Sequence, residues 1–209
     1  MEEEHHHQLV FANSYVKAFY VVIPAHNSTL YHRHDLPYVS LPPPAAVGEG
    51  PQTPGPRVSY MTGGFSHTVS NSSDVVLRNV AIELVGPQGI ARNRCAEAVR
   101  GQPLNRCDKP TSPDSSLLSH YTLFETDEIV VEYFALPANQ TFTSSPHSVM
   151  LVGGLSSVMT TAPEGVRAQG AFLEPRSGLV WLPAGSSESF KAAPAGVGHF
   201  IAIEFKDAP

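Results

Sequence analysis

The sequence predicts an all-β protein built from two copies of one unit, and three observations carry that expectation. Glycine (16) and proline (19) are spread along all 209 residues, where they interrupt helices. The apolar residues between them fall into short runs rich in valine and aromatics, bounded by turn-forming residues. The two ends of the chain also resemble each other: Ile23-Pro24-Ala25 lines up with Leu136-Pro137-Ala138, and Asn79-Val80-Ala81-Ile82-Glu83-Leu84 with Phe200-Ile201-Ala202-Ile203-Glu204-Phe205. Hydrophobic residues make up 42% and charged residues 15%, enough apolar material for a core. The net charge of -6 lacks the basic footprint of nucleic-acid binding. No apolar run approaches the roughly 20 residues of a membrane-spanning helix.

Taken in order, residues 1–8 are polar and carry His5, His6 and His7, a run able to bind metal adventitiously, and they read as a flexible solvated tail. Residues 9–86 form the first unit. Its strand-like runs are 9–11, 16–23 and 38–41, then, after a stiff proline-rich insert at 42–56, 58–61, 68–69 and 75–85. Residues 71–74 make a turn. Residues 87–125 break the pattern and read as a linker or excursion, with one short helix over 91–99. Residues 126–206 form the second unit, with strands at 129–136, 147–152, 155–160, 179–182 and 200–205. Packing two such units against each other buries surface and protects sheet edges. Exposed edges are compatible with a homodimer. His120 and His199 read as structural, His26 as a turn residue, and Trp181 as packing the second unit.

Cys95 and Cys107 flank one polar loop. Paired, they would stabilise the chain by about 3 kcal/mol; in a reducing cytosol they would be two free thiols. The pairing and the absence of a signal-like apolar run at the N-terminus slightly favour a periplasmic or secreted location after processing.

The sharpest motif is Tyr31-His32-Arg33-His34. Residues i and i+2 of a strand share a face, so His32 and His34 can grip one ion. If the strand carrying His67 is a neighbour, its ring joins them, and three neutral imidazoles suit Fe, Zn, Ni, Mn or Cu. Arg33 and Asp35 would face away.

His-x-His, a hairpin insert, then Gly64-Phe65-Ser66-His67 followed by Asn71 resembles the two metal motifs of the cupin superfamily. The resemblance implies jelly-roll barrels, and with the repeat it implies a bicupin, with two barrels in one chain. His32, His34 and His67 match the three metal-binding histidines and Asn71 the asparagine four residues beyond. The family's glutamate is missing: Tyr38 and Val39 stand in its place, which makes Tyr38 the candidate catalytic proton donor or fourth ligand. In the second unit the matching positions are Ser145, His147 and Glu188, so that half reads as degenerate. The implied function is a metal-dependent enzyme acting on a small-molecule ligand, with dioxygenase, isomerase, lyase and hydrolase all open. The alternative is a non-catalytic bicupin that binds a ligand or serves a structural role.

Overall fold

The structure, a computed structural model, describes residues 4–41, 57–108, 119–137, 140–143, 149–156, 158–161, 179–182, 189–192 and 197–206. The proline-rich insert and the positions of Ser145, His147 and Glu188 lie outside these. The first half contains β1 (His7–Ala12), β2 (Val16–Ile23), β3 (Asn27–Ser28), β4 (His32–His34), β5 (Tyr38–Leu41), β6 (Ser59–Met61), β7 (Phe65–His67), β8 (Ser70–Asn71) and β9 (Leu77–Leu84). The second contains β10 (Arg92–Asn93), β11 (Ser119–Glu125), β12 (Ile129–Leu136), β13 (Thr141–Thr143), β14 (Val149–Ser156), β15 (Val158–Thr161), β16 (Val180–Leu182), β17 (Ser189–Ala192) and β18 (Gly198–Phe205). No helix occurs among the described residues.

The repeat is visible in the strand pairing. One sheet runs β1-β2-β9-β5-β6 and the other β10-β11-β12-β18-β14-β16. Val16 opposite Leu84 becomes Ile129 opposite Phe205, at offsets of 113 and 121 residues. Ser28 opposite Ser70 becomes Thr141 opposite Lys191 at the same offsets. Tyr38 opposite Met61 becomes Met150 opposite Leu182. The extra residues of the second half lie between β14 and β16, where β15 joins β13 and β17 in a further sheet.

Strand alternation sorts the apolar side chains to two faces. On one face of the first sheet, Val16, Ala18, Tyr20, Val39, Val80, Ile82 and Leu84 meet Tyr121, Leu123, Phe124, Ile129, Val131, Ile201, Ile203 and Phe205 of the second sheet in one core. The opposite faces make two smaller cores. Phe19, Val21, Ile23, Tyr38 and Ala81 form that of the first half. Phe134, Leu136, Val180, Leu182, Phe200 and Ala202 form that of the second.

Five sequence expectations change, the first being the strand at 68–69, which falls between β7 and β8. Residues 4–8 are not a solvated tail: β1 begins at His7, Val22 N–H donates to His6 O at 3.0 Å, and Glu4 is only 2% exposed. Residues 119–125 are not linker but β11, paired along β12. The helix over 91–99 does not form. Asn93, fully buried, donates to the Val99 and Gln102 carbonyls and accepts from Val99 N–H, so its side chain takes the backbone groups a helix would have used. Trp181 packs on Phe11, Tyr15 and Phe205, at the junction of the halves rather than inside the second. Cys95 and Cys107 form a disulfide. His26 sits at a positive φ of 54° and faces Asp74, as a turn residue.

Phe124 is fully buried in the shared core and packs on Tyr60 of the other half, ring centroids 5.6 Å apart. Phe124→Ala should cost about 3–5 kcal/mol. Denaturant unfolding followed by fluorescence and by circular dichroism should keep a single coincident transition, because both halves share that core; two separated transitions would show independent units.

Candidate metal centre

Backbone geometry builds the site. β4 pairs antiparallel with β7, which sets His32 opposite His67 and His34 opposite Phe65. Directly opposed residues share a face, and i, i+2 alternation adds His34 to it. The turn before β7 carries Gly63 and Gly64 at φ of 78° and 75°, a region that favours glycine. At Gly63 an added Cβ would also stand 2.5 Å from the Leu36 carbonyl carbon. Gly64 N–H donates to His34 O at 2.7 Å, so the turn locks the register that brings His67 in. Arg33 and Asp35 pair with each other on the exposed face, as expected.

The Nε2 atoms of His32 and His34 lie 3.0 Å apart, as do those of His34 and His67. His32 Nδ1–H donates to Leu30 O at 2.8 Å, which leaves the Nε2 lone pair facing the others. His34 is 2% exposed. Its Nδ1 makes no hydrogen bond, and Glu83 Oε1 stands 3.9 Å away. One proton on His34 Nε2 cannot point at both neighbours, so neutral rings alone satisfy this triad poorly. Two ligand atoms each about 2.1 Å from a divalent ion, at right angles, stand about 3.0 Å apart. The His32–His34 and His34–His67 spacings each match two neighbouring ligands of such an ion.

Two of the rings, His34 and His67, are held toward the neutral form. Burial, then the neighbouring His32, His67 and His7, holds His34 down to about 3. Burial, then His32, lowers His67. Tyr38 stacks on His34, ring centroids 4.6 Å apart, and burial raises its pKa, so it stays a phenol. Phe65 stacks on the same ring at 5.5 Å. Asn71 is buried, and its amide donates to the Ile23, Pro24 and Val75 carbonyls; it ties strands together behind the site.

The sequence assigns His7 to a solvated tail, apart from the centre. Its ring lies 4.8 Å from that of His32 and 6.2 Å from that of His34. One ligand nitrogen from each of His7, His32 and His34 lies within 4.8 Å of the others. The signal was in the repeat: His7 opposite Val21 corresponds to His120 opposite Phe134, at the same offset of 113 that relates β2 to β12. His120 stacks on Phe134, and His199 Nδ1 meets Tyr133 OH at 2.6 Å.

No protein-family model matches the sequence, and no curated protein matches it. Solved structures do. AerE from Microcystis aeruginosa is similar over 96% of this chain and 97% of its own, with 8% identity and a TM-score of 0.53. Salicylate 1,2-dioxygenase from Pseudaminobacter salicylatoxidans is similar over 92% of this chain and 71% of its own, with 10% identity and a TM-score of 0.53. The form of that enzyme carrying adducts with gentisate gives 92%, 68%, 10% and 0.52. These are cupin-fold proteins, and the likeness shows that the chain has the cupin jelly-roll fold.

The lowered histidines fix the sign of a pH effect. The unfolded chain binds protons on these rings near pH 6.5 and the folded chain does not, so stability is complete above that pH and is lost as pH falls toward 3. In chelator, denaturation midpoints should decline over this window, by up to about 1.4 kcal/mol per pH unit for each ring. His34→Gln should flatten the decline; an unchanged slope would show that His34 titrates normally.

Proposed function

We propose that this cupin-fold chain is a bicupin whose first barrel is a metal-dependent enzyme site for a small molecule, with a divalent ion held by His32, His34 and His67. The observation that carries the reading is the approach of the His32 and His67 Nε2 atoms to that of the buried His34, each at 3.0 Å. The candidate ions are Fe, Zn, Ni, Mn and Cu, all served by imidazole. Such an ion supplies Lewis-acid polarisation of a substrate oxygen or, as iron, redox chemistry with dioxygen. The likeness to salicylate 1,2-dioxygenase, one form of which carries gentisate adducts, supports the dioxygenase reading over isomerase, lyase and hydrolase. The rings of Tyr38 and Phe65 beside His34 suit a substrate with an apolar or aromatic body and an oxygen group. Tyr38, protonated and adjacent, is the proposed proton donor. The Cys95–Cys107 disulfide supports a periplasmic or secreted setting.

Elemental analysis of the purified chain should give about one ion per chain, lost in His32→Ala and in His67→Ala. Loading should raise stability by about 2.7 kcal/mol at one hundred times the dissociation constant. A chain that takes up none of the five metals, with stability unchanged by chelator, would instead be a non-catalytic ligand-binding or structural bicupin. Tyr38→Phe should keep the ion and the fold while lowering kcat by about 10²–10⁴-fold if the phenol transfers a proton. Unchanged kcat across pH would remove it from that role.

A further inference from the structure

We propose that His7, oriented by Glu4, is a fourth protein ligand of this same centre, so that the N-terminal strand closes it. The inference rests on the three-histidine reading. Glu4 is almost fully buried, an expensive place for a carboxylate unless it is well bonded. Its Oε2 accepts from His7 Nδ1–H at 2.6 Å and from His6 N–H at 2.9 Å. Its Oε1 accepts from His6 Nδ1–H at 2.9 Å and from Leu30 N–H at 3.2 Å.

These bonds do two things. A carboxylate on Nδ1–H fixes the tautomer that leaves Nε2 of His7 with its lone pair, the arrangement by which outer carboxylates orient histidines that bind metals. Leu30 then becomes a shared anchor: its carbonyl accepts from His32 Nδ1–H and its amide donates to Glu4. One residue thus aims two imidazoles from different strands. The donors of His7, His32 and His34 lie within 4.8 Å of one another; ligands about 2.1 Å from one ion stand at most about 4.2 Å apart, so binding would draw the rings slightly together. His7 faces the core of the first half because it stands opposite Val21. It supplies the ligand that the missing glutamate would have given, from another strand.

Ligation by His7 couples the ion to docking of β1, which the Val22 N–H to His6 O bond reports. The test uses the full chain with one equivalent of Co²⁺. X-ray absorption should count four imidazoles on the wild-type ion and three on His7→Ala, whose Co²⁺ affinity should be about 10–100-fold weaker. Glu4→Gln should keep four imidazoles with a smaller loss of affinity. Co²⁺ should slow hydrogen exchange at the Val22 amide in the wild type and not in His7→Ala. Three imidazoles on the wild-type ion, with His7→Ala binding as tightly, would overturn the role of His7 and leave the three-histidine centre standing. The wild-type count decides this even if His7→Ala fails to fold. A wild-type chain that binds no Co²⁺ would overturn both.

Discussion

The register between β4 and β7 is the constraint on which the candidate site depends. His32 opposite His67 and His34 opposite Phe65 put three imidazoles on one side of a two-stranded ribbon only three residues wide. A slip of one residue would turn His67 to the far face. So short a pairing could not hold its own register; the two glycines before β7 and the Gly64 bond to His34 O do so locally. Behind them Asn71 ties the ends of β2 and the 71–75 turn together through three carbonyls.

That local geometry hangs on a larger frame. The two long sheets lie face to face across one apolar core, which is where most of the burial, and hence the stability, resides. The small ribbons project from the far side of the first sheet, around the core that holds Phe19, Val21, Ile23 and Tyr38. The frame therefore carries stability, while the ribbon and the N-terminal strand carry the buried polar groups. Glu4 shows how such groups are accommodated. Burial alone would raise its pKa, but hydrogen bonds from His6, His7 and the backbone bring it down to about 2, so it remains an ionised acceptor.

Much of this was legible in the residues. The repeat placed β2 against β12 and β9 against β18, because strands that fill equivalent places keep equivalent apolar patterns. His32 and His34 followed from strand parity, and His67 from the glycine-rich approach to it. His7 was not legible in isolation: a histidine run after three glutamates has no apolar periodicity and reads as solvated. What folds it is its bond to the Glu4 carboxylate, which in turn accepts from Leu30 N–H, a contact across sequence that pattern does not encode. Extending the repeat by one strand would have found it, since His7 and His120 share the offset of β2 and β12. The 91–99 stretch misled for a similar reason, because the buried Asn93 outweighs helix propensity there. Trp181 lies between two residues that point into the second half's own core, and strand parity places it on the opposite face, toward the junction.

The proposed centre requires one cation shared by the three Nε2 atoms. Anomalous diffraction from crystals of the metal-loaded chain, recorded on either side of the metal's absorption edge, tests this most directly. One strong anomalous peak is expected about 2.1 Å from the Nε2 atoms of His32, His34 and His67. Loaded crystals with no peak at that position, or with the ion bound only elsewhere on the chain, would contradict it.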